Sequence, residues 1–124
     1  LADYVKQTSE AMRTGLFTYF AHPDTNEFLG SEEEYLEAMR CICEASLETD
    51  TPLEINLLGL RQGRRYPKEH FWRLVGEVGC KVVVGCDAHS PRDLLYGDDF
   101  KKAMTMVEKY GLNYTDDIKL KKVK

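Results

Sequence analysis

The sequence predicts an α/β fold in which short parallel strands alternate with amphipathic helices, and three observations carry that expectation. The run Lys81-Val82-Val83-Val84-Gly85-Cys86 has the length and β-branching of a strand buried on both faces, as in a parallel sheet covered by helices. Two further strand-like runs, Leu16 to Ala21 and Pro52 to Asn56, lie upstream of it. Helix-period segments with start and stop signals stand before, between and after all three, and the order α-β-α-β-α-β-α predicts parallel strands joined by right-handed crossovers.

Taken in order, Asp3 to Arg13 sets Tyr4, Val5, Ala11 and Met12 among polar residues and reads as a helix ended by Gly15. The first strand, Leu16 to Ala21, closes at His22-Pro23-Asp24, because Pro23 cannot continue a ladder. Thr25 to Gly30 is loop. Ser31-Glu32-Glu33-Glu34 is a capping box whose acids sit on the positive end of a helix dipole. Tyr35, Met39, Ile42, Cys43 and Ser46 or Leu47 then recur at helical spacing to about Thr49. After the Asp50-Thr51 break comes the second strand, Pro52 to Asn56. Leu57 to Tyr66, LLGLRQGRRY, reads as a glycine-containing loop with three arginines. Pro67 opens a helix through Phe71, Trp72, Leu74 and Val75 that stops at Gly79, ahead of the Lys81 run. Beyond Ser90 a short helix precedes Asp98 to Tyr110, where Phe100, Ala103, Met104 and Val107 form an apolar face and Gly111 the stop. From residue 114 the chain is a polar, lysine-rich tail or edge segment.

Neither an internal repeat nor a linker is visible, so the 124 residues read as one domain, large enough to bury roughly two thirds of its unfolded surface. A formal charge of -4 argues against a protein whose main business is neutralising phosphate backbones, so nucleic acid is not expected as a partner. Cys41, Cys43, Cys80 and Cys86 fall inside apolar patterns without C-x-x-C spacing and read as reduced core residues of a cytoplasmic protein. No apolar run approaches transmembrane length and no signal peptide is visible, so no membrane partner is expected.

At the carboxyl end of the third strand stand Asp87 and His89. Positions i and i+2 of extended backbone project to the same side, so the carboxylate and the imidazole can reach one point, where α/β folds bind ligands. Neither is needed for capping, because Ser90-Pro91-Arg92-Asp93 already supplies a complete helix start. Spacing alone leaves D-x-H open between a divalent-metal pair and a structural hydrogen-bonded pair. The other strand ends favour the metal. His22 follows the first, Glu54 and Asn56 close the second, and parallel strands bring all of these to one rim with Asp87 and His89. Arg61, Arg64 and Arg65 follow the second strand on that rim, and guanidinium forks match phosphate oxygens two at a time. A carboxylate and imidazole metal site beside arginines describes a phosphate-ester hydrolase. His70 lies away from any strand end and reads as a surface or half-buried helix histidine; Trp72 and the remaining aromatics read as core or its margin.

Three segments together, FTYFAHPD, LEINLLGLRQGRRYP and VGCKVVVGCDAHSPRDL, closely resemble the carboxyl-terminal half of the PHP-domain histidinol-phosphatases, which hydrolyse histidinol phosphate in histidine biosynthesis. The resemblance runs from about Phe17 to Leu95. It implies part of a distorted, TIM-like (β/α)7 barrel with two or three zinc, manganese or iron ions at the carboxyl ends of its strands. On that pattern His22 is a metal ligand, Asp87 a ligand of the metal shared with amino-terminal histidines, and His89 a ligand of a further metal, with His22 or His89 assisting proton transfer. Glu54 and Asn56 line the pocket, behind the ligands or against substrate. Arg61 is the phosphate clamp, with Arg64 or Arg65 assisting.

The sequence departs from that family in lacking its H-x-H strand and the further histidine and bridging glutamate. The only histidines are His22, His70 and His89. Three ligands are too few for a multinuclear centre, so these residues alone are expected to be inactive. Three parallel strands cut from a barrel also leave an unpaired edge and an apolar inner face. Such a piece is expected to self-associate or to belong with a missing amino-terminal half, and a start at Leu1 without Met favours a longer parent. Two other readings stay open: a PHP-type phosphoesterase acting on nucleotides, and a non-catalytic half-barrel assembly module.

Overall fold

A computed structural model of the chain describes residues 1–26, 28–63, 66–86 and 97–116. Local chemistry marks several of its helix ends. Helix α1 (Ala2–Arg13) buries Val5, Thr8, Ser9 and Met12 along one stripe. Helix α2 (Glu32–Thr49) starts at Ser31, whose hydroxyl accepts the Glu34 N–H at 3.1 Å, and ends at Asp50 in the left-handed region. Its buried stripe is Tyr35, Met39, Ile42, Cys43, Ala45 and Ser46; Leu47 is exposed.

Strand β1 (Leu53–Asn56) is followed at once by a short helix, α3 (Leu57–Arg61). This helix stands where the sequence predicts a glycine-containing loop. Asn56 overrides the glycine by capping the helix, its side-chain oxygen accepting the Gly59 N–H at 3.0 Å. Helix α4 (Glu69–Val78) begins two residues later than Pro67 suggests and stops at Gly79, φ 89°. Strand β2 (Lys81–Gly85), helix α5 (Gly97–Tyr110) and strand β3 (Asn113–Tyr114) complete the order. On α5 the residues packed against the core are Phe100, Ala103, Met106, Val107 and Tyr110, so Met106 takes the place expected of Met104.

The fold is α/β, with a parallel sheet in the order β1-β2-β3 that does not close among the described residues. Leu53 pairs with Val82 and Asn56 with Gly85; Lys81 pairs with Asn113 and Val82 with Tyr114. β3 was unexpected, since Asn113-Tyr114 is too short to carry a strand pattern of its own. The expected first strand contracts to a single parallel bridge, Phe20 to Leu53. Phe20 donates to the Pro52 carbonyl at 2.8 Å and accepts the Glu54 N–H at 3.0 Å. Leu16, Phe17 and Tyr19 beside it are 49%, 42% and 40% exposed, so no packing extends the pairing.

Strand alternation sorts the sheet into two faces. Leu53, Ile55 and Val82 belong to the core with Met12, Met39, Ile42, Phe71, Trp72 and Val75 from the helices. Each such side chain taken from water contributes roughly 1.5–3 kcal/mol, and these short strands depend on that cover. The opposite face carries Glu54, Asn56, Val83 and Gly85. That face, expected to be apolar, is thus mixed at its carboxyl end, because alternation in β1 leaves the two polar residues no other side. No described helix is long and apolar enough to cross a membrane.

Candidate functional site

The carboxyl ends of the Phe20 segment, β1 and β2 form one rim. A cleft of about 180 Å³ opens there, lined by Tyr19, Ala21, His22, Glu54, Asn56, Gly85 and Cys86. A second hollow of about 460 Å³ adjoins it, sharing Tyr19, Ala21 and His22 and walled further by Tyr4, Phe17, Phe20 and Thr25. His22 stands between the two, half-buried.

Glu54 is the polar centre of the rim. It is 4% exposed, and its Oε1 accepts two hydrogen bonds, from the His22 backbone N–H at 3.1 Å and from Asn56 Nδ2 at 3.0 Å. The carboxylate lies across the neighbouring strand at Gly85, where a β-carbon would stand 1.9 Å from Oε2. Only glycine leaves that space, the close approach an isolated glycine in a strand signals. Asn56 is 2% exposed and divides its side chain between Glu54 and the α3 cap.

His22 itself has φ 29°, outside the regions a side-chain-bearing residue prefers. Left-handed backbone costs roughly 1–2 kcal/mol, which a bond from His22 N–H to a buried carboxylate, worth about 1.5–3 kcal/mol, can offset. The imidazole faces the Tyr66 ring, centroids 5.6 Å apart at 39°. Tyr66 in turn packs on Gly59, where a β-carbon would lie 2.4 Å from the Tyr66 carbonyl oxygen.

Arg61 ends α3, and its Nη1 lies 3.5 Å from Asp99 Oδ2 in the first turn of α5, both side chains largely buried. Arg64, Arg65, Asp87 and His89 lie outside the described residues, as does the helix expected after Ser90. Cys86, immediately before Asp87, is described and lines the His22 cleft. His70 is half-buried on α4, edge-on to Tyr35 at 5.0 Å.

Asp24 belongs to the site's support without any sequence signal for it. Its carboxylate is 1% exposed; Oδ2 accepts the Lys68 N–H at 2.6 Å and the Trp72 indole N–H at 3.1 Å, tying the turn after His22 to the start of α4. Burial pushes its carboxyl up to about 6, against the lowering effect of those donors. Nearby, burial pushes the Tyr4 phenol up to about 12, and its hydroxyl donates to the Pro23 carbonyl at 2.5 Å. Lys68 Nζ donates to the Asn26 carbonyl and sits 5.0 Å over the Tyr35 ring. No local pattern announces this cluster, because its partners lie as much as 48 residues apart. Gly85 did carry a signal, a lone glycine inside a β-branched run.

A scan against protein-family models finds no match for the chain, and a search of curated proteins finds none either. The donors named from the sequence, two imidazoles and a carboxylate, suit zinc, iron or manganese. Among the described residues no three His, Cys, Asp or Glu side chains converge on a point that could hold a metal ion. His22 is the one predicted ligand described, and ligation would be completed by Asp87 and His89.

Proposed function

We propose that the chain contributes metal ligands and a phosphate-binding arginine to a metal-dependent phosphoesterase with a PHP-type barrel, whose substrate is a small phosphate monoester of the histidinol phosphate kind. The observation that carries the reading is the cleft shared by His22 and Cys86. A left-handed histidine just past the Phe20 bridge lines the same cleft as Cys86, the residue that precedes Asp87 in the sequence. Bound there, a divalent zinc, manganese or iron ion polarises a phosphoryl oxygen and acidifies water. His22, Asp87 and His89 would hold it. Arg61 balances phosphate charge, its guanidinium oriented by Asp99. Three ligands do not hold a multinuclear centre, so these residues alone do not turn over substrate.

Calorimetric titration with Zn²⁺ and Mn²⁺ tests the metal assignment. Wild-type protein takes up metal, and His22→Ala and Asp87→Asn each weaken it at least tenfold. A wild type that binds neither ion, or a His22→Ala variant that binds as tightly, ends the reading. Histidinol phosphate, p-nitrophenyl phosphate and a nucleotide monophosphate are then compared as competitors of inorganic phosphate. Nucleotide preference would move the substrate class, against which the net charge of -4 counts.

A second reading, an assembly module whose rim residues do no chemistry, is favoured by the edge at Leu16–Ala21, which among the described residues pairs only at Phe20 and exposes Leu16, Phe17 and Tyr19. A discrete oligomer in light scattering, together with no metal uptake, would select it.

A further inference from the structure

We propose that Glu54 is a positioning residue for His22 and does not meet the substrate. The proposal deepens the metal-site reading above, on which its effect on affinity rests; its geometric half stands without a metal. At Phe20 the chain leaves the ladder, and two residues later the His22 N–H turns from the strand backbone to a side chain. It finds Glu54 Oε1 at 3.1 Å instead. The same oxygen takes Asn56 Nδ2 at 3.0 Å, and Asn56 is itself fixed by the Gly59 N–H at 3.0 Å. The carboxylate is therefore aimed by β1, by the α3 cap and by the bare backbone of Gly85, and it holds the left-handed turn from which the imidazole projects.

Charge argues the same way. A buried carboxylate facing a phosphate ester would oppose the substrate's own charge, whereas one that accepts a backbone N–H and an amide is well placed to fix geometry. Groups that orient a metal-binding histidine typically change metal affinity by 10–100-fold when removed. Nothing local in L-E-I-N reveals this role, since it depends on how β1 registers beside Phe20 and Gly85.

The test compares wild-type chain, Glu54→Ala and Glu54→Gln. In metal-free, ¹⁵N-labelled protein the His22 amide is expected to exchange slowly in wild type, to lose protection in Glu54→Ala, and to regain most of it in Glu54→Gln, which keeps an acceptor oxygen. Zn²⁺ titration is expected to follow the same order, with Glu54→Ala about tenfold weaker than wild type. A merely structural role would lower stability without singling out the His22 amide. Unchanged Zn²⁺ affinity in a folded Glu54→Ala, beside a large loss in His22→Ala, overturns the positioning role and leaves the metal site standing. If wild type takes no Zn²⁺, the metal reading falls and amide exchange decides the proposal alone. Should Glu54→Ala not fold, the wild-type measurement is sufficient: a His22 amide that exchanges as fast as those of Tyr19 and Ala21 overturns the assignment.

Discussion

The Asp24 carboxylate and the Trp72 indole, 48 residues apart in sequence, meet through a 3.1 Å hydrogen bond beneath the turn that carries His22. Both residues are essentially without solvent contact, at 1% and 0% exposure. The bond ties the rim to helix α4, so the candidate site is supported from below by a group that water does not reach.

That burial gives a pH dependence whose sign can be worked out. The Asp24 carboxyl titrates near 6 in the folded protein against an ordinary 3.8. Between those values the folded state holds more proton than the unfolded one, so stability falls as pH rises through the window, and the penalty is complete above about 6. A displacement of that size corresponds to about 3 kcal/mol at most. Asp24→Asn cannot ionise and still offers an oxygen to Trp72 and Lys68. Denaturant unfolding at neutral pH and at pH about 4 should therefore show wild type gaining on the variant as pH falls. A difference between the two proteins that does not change with pH would sink the assignment.

Much of the architecture was written locally. Ser31 with Glu34, Gly79 after Val78, and the β-branched Val82-Val83-Val84 each announce their element within a few residues, and each formed as read. What depends on partners distant in the chain was not legible. Leu16–Ala21 has strand composition, yet among the described residues it pairs at Phe20 alone, with Leu16, Phe17 and Tyr19 left 40–49% exposed. The strand-end position of Asn56 predicts a rim residue; that it also caps α3 and clamps Glu54 follows only once the chain turns there. His22, Glu54 and Asn56 could be assigned to one rim from parallel order, but which of them faces which needed the register.

Gly59→Ala sets two effects against each other. In a helix interior alanine is favoured over glycine by about 1 kcal/mol. Against it, the added carbon would lie 2.4 Å from the Tyr66 carbonyl oxygen and 2.6 Å from its ring. The nearest atom is backbone and cannot swing aside, and overpacking of this kind costs about 1–3 kcal/mol. The clash wins, with a net loss of about 1 kcal/mol, and Tyr66 shifts against His22. Denaturant midpoints measure the loss. A variant more stable than wild type would mean that α3 and Tyr66 are not packed as described.

The open edge makes the last prediction. Phe20 directs its N–H and carbonyl to Pro52 and Glu54, so the peptide groups of Tyr19 and Ala21 face the other way, and neither residue makes a hydrogen bond among the described residues. Natural edges are guarded by lysine, proline or a covering element, yet no charged residue interrupts Thr14–Ala21. Exposed Leu16, Phe17 and Tyr19 add apolar area to the unpaired ladder. Two copies can satisfy each other by antiparallel pairing of this segment about a two-fold axis, since an uncharged edge meets an identical one without repulsion. Sedimentation across a wide concentration range should show self-association in wild type that Phe17→Lys abolishes. Leu29→Lys, at a side chain 98% exposed elsewhere, should leave it unchanged. A wild type that stays monomeric throughout, or a Phe17→Lys variant that associates equally well, would mean that this edge is not where copies meet.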